Sequence, residues 1–150
     1  MSETLTVCGL TIERGTKLRT YLPVPDTNVK IPLTIINGEK DGPTLLITAG
    51  IHGGEYPGIA AAMELGRDIE PEHVTGCLIM MHPVNIQGFW ARREMIVPED
   101  GKNLNRVFPG DPTGTLADKT AYLISNNFFP IADFYVDMHS GDIHERLHPY

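Results

Sequence analysis

The hydrophobic pattern of the chain changes character near residue 40. Before that point, "TLTVCGLTI" (4–12), "TKLRTYLPV" (16–24) and "VKIPLTII" (29–36) are β-branched, partly alternating runs broken by Gly15, Pro25 and Asn37–Gly38. This is the pattern of short strands separated by turns, so residues 1–37 are expected to form a β-rich N-terminal segment. After Gly42 comes "PTLLITAG" (43–50), a continuous apolar run of the kind a strand shows when both of its faces are covered. A helix is predicted from Pro57 through "GIAAAMELGRDI", because proline is tolerated in a first turn whose N–H has no partner anyway. "GCLIMMHPVN" reads as a second buried strand ending at Pro83. The stretch from Asn85 to Pro112 has no clear period and is rich in Gly, Pro, Arg and Asn, which marks a long functional loop. Thr115, with Asp118 at the third helical position, predicts the start of a helix over "LADKTAYLISNNF", and "DFYVDMHSG" closes the pattern as a strand.

From Thr44 onward the order strand, helix, strand, helix, strand calls for an α/β fold, with a mostly parallel or mixed sheet and helices on both faces. One domain over residues 1–150 is the expectation from length. In such sheets ligands gather beyond the carboxyl ends of the strands, where His52, His82, Asn85 and His139 all fall.

Composition narrows the function classes. Twelve Lys and Arg against 19 Asp and Glu leave a net charge of −7, which disfavours nucleic acid as a partner. The N-terminus lacks a basic stretch followed by an apolar one, and no uninterrupted apolar run is long enough to span a bilayer, so a cytoplasmic protein without a membrane partner is expected. Cys8 and Cys77 lie far apart in strand-like runs, which predicts buried, reduced thiols.

The chemistry concentrates in two places. In "GIHGGEYPG" (50–58), His52 and Glu55 leave a strand on a glycine-lined turn, where an imidazole and a carboxylate three residues apart can close on one cation from the same side. Zinc accepts that donor pair, and a catalytic zinc takes a third protein ligand while leaving a position for water. His139 in "VDMHSG" is the best candidate, with Asp137 placed to orient its ring. His82 reads as a hydrogen-bonded structural residue, His73 as exposed, and His144 and His148 as surface or supporting groups. The second place is "GKNLNRVFPG" (101–110), where Asn105 and Arg106 suit an anion, since a guanidinium grips a carboxylate in bidentate fashion and a neighbouring amide adds a donor. Arg92 and Arg93 bring two more cations into the same loop, so a small anionic substrate is expected.

Taken in order, "GIHGGEYPG", "NLNRVFPG" and "DMHSG" resemble the succinylglutamate desuccinylase/aspartoacylase family, which belongs with the zinc carboxypeptidases by fold. The resemblance runs from about Thr44 to the end. It implies that His52, Glu55 and His139 are the zinc ligands, that Asn105 and Arg106 bind a substrate carboxylate, and that an upstream arginine polarises the scissile carbonyl. Arg92 and Arg93 both qualify, with Arg93 preferred. Many relatives carry Asp where Asn103 stands, a departure that leaves the Asn–Arg pair intact. The family's general base is a glutamate well downstream of the third ligand, and Glu145 is too near His139 to match it. The sequence is therefore expected to be the N-terminal part of a larger zinc-hydrolase domain, incomplete at its C-terminus, with an unpaired sheet edge and a tendency to self-associate. The implied activity is zinc-dependent hydrolysis of an N-acyl amino acid. The alternatives are a zinc carboxypeptidase acting on a peptide and, for these 150 residues alone, a non-catalytic module that binds zinc and a carboxylate.

Overall fold

The computed structural model describes residues 4–147, so the expectation for His148 lies outside the described residues. The first apolar run forms a hairpin where a single strand was expected: β1 (Thr4–Val7) pairs antiparallel with β2 (Leu10–Glu13). Cys8 and Gly9 connect them with positive φ angles of 49° and 76°, the backbone that a two-residue hairpin turn requires. Cys8 is consequently exposed at the tip, a correction to the buried thiol expected there. Val7 and Ile12 return the hairpin to the main core, at 5% and 2% exposure.

Five further strands form one mixed sheet in the order β3-β4-β6-β5-β7. They are β3 (Thr16–Pro23), β4 (Lys30–Asn37), β5 (Lys40–Ala49), β6 (Thr75–Met81) and β7 (Phe134–Met138). The strands read as fully covered, β5 and β6, pair in parallel, and β7 adds parallel to the free side of β5. β3 and β4 extend the other edge antiparallel. Alternation along the central strands divides the interior. Ile31, Leu33, Ile35, Leu46, Ile79 and Met81 face one core, and Ile36, Ile47, Leu78 and Met80 face the other. Each such side chain, fully buried, contributes about 1.5–3 kcal/mol by removal from water. Cys77 lies buried in β6, as expected, and burial pushes its thiol up to about 11.

A helix covers each face. α1 (Tyr56–Asp68) buries Gly58, Ile59, Ala62 and Gly66, with Pro57 in its first turn. Its last turn is tied to β3 by Lys17, whose Nζ donates to the carbonyls of Arg67 at 2.8 Å and Ile69 at 2.7 Å and so satisfies acceptors that the helix end leaves open. The second long helix (Leu116–Asn127) packs Ala117, Ala121, Leu123 and Ile124 into the larger core. Its start is the reciprocal cap that the sequence predicts: Asp118 Oδ2 accepts from Thr115 N at 2.9 Å and from Thr115 Oγ1 at 2.8 Å. The long loop is less irregular than its sequence implies. It contains a short helix (Ile86–Ala91) and a 3₁₀ turn (Leu104–Arg106). We number the short helix α2 and the long one α3. No helix among the described residues is long and apolar enough to cross a membrane.

Candidate metal centre

The parallel register of β5 and β7 pairs Ala49 with Met138, so the two strands end side by side and the residues just beyond them are neighbours. His52 leaves from β5 and His139 from β7. The chain must bend hard after β5, and Gly50 supplies the bend with φ +71°, where an added Cβ would also lie 2.7 Å from Cβ of Pro83. At Gly53 an added Cβ would fall 2.4 Å from the backbone N of Phe89, so this turn fits against α2 only without a side chain. Glu55 occupies the cap position of α1, but it makes no side-chain cap. Its carboxylate turns to the histidines.

The three predicted ligands converge. One ligand atom from each of His52, Glu55 and His139 can be chosen so that all lie within 4.8 Å of one another. Glu55 bridges the two rings: Oε1 is 2.8 Å from His52 Nδ1 and Oε2 is 2.9 Å from His139 Nδ1. The rings meet edge to face with centroids 5.1 Å apart. His52 and Glu55 are 7% and 8% exposed, while His139 stands at the solvent side of the cluster. Ser140, which the sequence reading passed over, steadies the bridge by donating its backbone N–H to Glu55 Oε2 at 2.9 Å.

The outer nitrogens have partners of their own. His52 Nε2 is 3.1 Å from Asn103 Oδ1, and His139 Nε2 is 2.8 Å from Asp137 Oδ2. Both partners are oxygen acceptors, and a neutral ring that donates Nε2–H to them turns an Nδ1 lone pair toward the Glu55 carboxylate. Lone pair against carboxylate oxygen at such distances is repulsive unless a proton or a cation lies between them. Two imidazole nitrogens and a carboxylate, with their outer nitrogens fixed by oxygen acceptors, are the donor set of a zinc site with an open position. The residues present therefore fit the metal. Burial works to lower the His139 pKa, but the hydrogen bond and charge of Asp137, followed by those of Glu55, outweigh it and hold the ring above its ordinary value.

Asn103 is the residue that sequence reasoning undervalued. Its oxygen accepts from Asn105 N at 2.9 Å as well as facing His52. That contact ties the 3₁₀ turn bearing Asn105 and Arg106 to the cluster. Arg106 is exposed and donates to the Asn105 carbonyl at 3.1 Å. Arg93 is held by its backbone, which donates to Gly88 O at 2.9 Å and passes Gly54 closely enough that an added Cβ there would lie 3.4 Å from Arg93 O. Its guanidinium is exposed and makes no hydrogen bond or ion pair with the described residues. Arg92 takes a left-handed backbone at the end of α2 and lines an apolar groove of about 640 Å³ with Tyr56, Ile59, Phe89 and Trp90.

The remaining polar residues at the strand ends have other duties. His82 is buried against Thr34 Oγ1 at 3.0 Å, and burial lowers its pKa, in keeping with a structural role. Asn85 caps α2, accepting from Gly88 N at 2.9 Å and donating to Ile96 O at 3.0 Å. His73 and His144 are exposed.

Known proteins share this arrangement of chain. The sequence profile of the succinylglutamate desuccinylase/aspartoacylase catalytic domain matches residues 41–149. An N-alpha-acetyl-L-2,4-diaminobutyric acid deacetylase of Halomonas elongata is 41% identical over 128 residues, covering 81% of this chain and 37% of that protein. Two solved structures cover 94% of this chain and 44% of their own. One is the product-bound ectoine utilization protein EutE (DoeB) from Ruegeria pomeroyi, at TM-score 0.81 and 36% identity. The other is a succinylglutamate desuccinylase/aspartoacylase from Rhodobacter sphaeroides, at TM-score 0.79 and 35% identity. The chain thus spans less than half the length of these relatives. With the profile matched over most of its residues and the fold shared, the chain belongs to the succinylglutamate desuccinylase/aspartoacylase family.

Proposed function

We propose that the chain forms the metal- and carboxylate-binding part of a zinc-dependent deacylase that hydrolyses the amide bond of an N-acyl amino acid. The observation that carries this reading is the convergence of His52, Glu55 and His139, with their ligand atoms within 4.8 Å. The name of the Halomonas relative, a deacetylase of an N-acetylated diamino acid, supports the substrate class. Zinc held by these residues would supply Lewis acidity and a bound water of lowered pKa.

The chain's own residues prepare the site for that chemistry. Asn103 and Asp137 offer acceptors to both outer nitrogens, an arrangement that favours Nδ1 as the metal-binding atom of each ring, and the backbone of Ser140 fixes the carboxylate between them. Asn105 and Arg106 would take the substrate carboxylate. Arg93, on the segment packed against Gly54, would face the scissile carbonyl. Its guanidinium engages none of the described residues, which leaves it available to a ligand.

For the 150 residues alone, binding without turnover is the better reading, because the carboxylates at the cluster are already committed. Glu55 bridges the histidines, and Asp137 accepts from His139 and from Thr48 at 2.7 Å, so neither is available as general base. Zinc stoichiometry by elemental analysis, alongside hydrolysis of Nα-acetyl-2,4-diaminobutyrate, tests both statements. One equivalent of zinc that disappears in His139→Ala is expected; full retention in that variant would sink the ligand set. Brisk turnover by the 150 residues would refute the binding-only reading.

A further inference from the structure

We propose that Thr48 and Tyr135 position His139 for metal binding, through a one-way chain of hydrogen bonds that ends on the Asp137 carboxylate. This inference rests on the metal-centre reading above. Thr48 and Asp137 are register partners on β5 and β7, and Tyr135 lies two residues before Asp137, so all three side chains stand on one face of adjacent strands. Thr48 Oγ1 donates to Asp137 Oδ1 at 2.7 Å, and Tyr135 Oη is 2.8 Å from the same Thr48 oxygen.

The direction of every bond follows from counting protons. A carboxylate only accepts, so the single Thr48 proton goes to Asp137. Tyr135 must then donate to Thr48. Burial, with the charge of Asp137 acting in the same sense, pushes the Tyr135 phenol up to about 12, so it keeps that proton at any pH near neutrality. With Oδ1 occupied by Thr48, Asp137 presents Oδ2 to His139 Nε2 at 2.8 Å. Nδ1 of the same ring is left facing the cluster, 2.9 Å from Glu55 Oε2, and in the neutral ring it carries the lone pair a metal would take.

The location of Thr48 argues that this hydroxyl is there for a purpose. It is 0% exposed in the middle of "LLITA", where an isosteric valine would bury without the cost of a polar group. Tyr135 is fixed from behind by Phe129, whose ring centroid lies 4.9 Å away. The relay thus joins the rigid centre of the sheet to a ligand that stands on its edge strand.

The test is a zinc titration against a competing chelator at neutral pH, for the wild-type chain, Thr48→Val, Thr48→Ser and Tyr135→Phe. It is paired with ¹⁵N histidine NMR of the metal-free protein at a pH where the His139 ring is neutral. Thr48→Val is expected to weaken zinc binding roughly tenfold, at the lower end of what loss of an outer partner costs a metal site. Thr48→Ser should restore affinity, and Tyr135→Phe should show a smaller loss in the same sense. In the spectra, the Nε2–H tautomer of His139 should dominate in wild type and lose that dominance in Thr48→Val. Wild-type affinity and an unchanged tautomer in Thr48→Val would overturn the proposal, as would a serine variant no better than valine. A wild-type chain that takes up no zinc refutes the metal centre instead, and the tautomer comparison still decides the relay. Where Thr48→Val fails to fold, Tyr135→Phe, at a partly exposed position, decides by the same two measurements.

Discussion

The histidine–glutamate cluster and the arginine loop lie close together and are built on opposite plans. In the cluster every polar atom at the centre has a partner: Glu55 touches both rings, and Asn103 and Asp137 hold their far sides. In the loop the backbone is held, while the guanidiniums of Arg93 and Arg106 pair with no side chain among the described residues. Arg93 and Arg106 are exposed, with only a backbone carbonyl near the Arg106 guanidinium. A metal site must be assembled in advance, because the placement and angles of its ligands decide affinity. An anion clamp can wait for its ligand, since a guanidinium keeps its charge and its planar fork in any rotamer.

Four substitutions separate the two plans. Glu55→Gln should do most damage, weakening zinc by more than roughly 100-fold, beyond the usual cost of an outer partner, because a ligand charge is lost; isothermal titration with zinc measures it. Asn103→Ala should cost about 10–100-fold in zinc affinity by freeing the His52 ring. Asn103→Asp should reverse the sign and tighten zinc, since a charged acceptor strengthens the His52 hydrogen bond. Arg106→Ala should leave zinc affinity unchanged while weakening a small carboxylate ligand by about 1.5–3 kcal/mol, the worth of a charged hydrogen bond, as read by competition binding. If Arg106→Ala lowers zinc affinity as much as Asn103→Ala, the division between prebuilt cluster and waiting clamp fails.

The smallest expected effect lies away from both regions. Asp118→Ala removes the α3 cap and should cost about 1 kcal/mol in thermal unfolding with zinc binding intact. The Lys102 hydrogen bond, with help from the Thr115 backbone, holds the Asp118 carboxyl below the usual carboxylate range. A group whose folded pKa is depressed contributes stability that is complete above its unfolded pKa and lost as pH falls through its folded pKa. The gap in melting temperature between wild type and variant should therefore narrow in acid.

The parts of the site legible in the sequence are those carried by local chemistry. His52 and Glu55 share a turn, and His139 ends a strand whose apolar run is unmistakable, so strand order alone brings them to one end of the sheet. Asn103 was noticed only as a difference from relatives, because its bond to His52 crosses a loop whose path no period describes. Thr48 passed as one more β-branched strand residue. The hairpin at Cys8–Gly9 was missed because cysteine is not a habitual turn former, although its φ of 49° serves as one. α2 was missed for brevity: six residues, "IQGFWA", are too few to show a helical period.

β7 is hydrogen-bonded to β5 on one side and, among the described residues, to no strand on the other. Phe134, Tyr135 and Val136 are 61%, 43% and 45% exposed on it. A lone border strand opens locally at far lower cost than the centre of a sheet, and each opening carries His139 away from its two companions. If the cluster holds zinc as proposed, the ion would favour the closed strand in these residues, so zinc should slow amide hydrogen exchange along Phe134–Met138 more than in β6, which is paired on both sides.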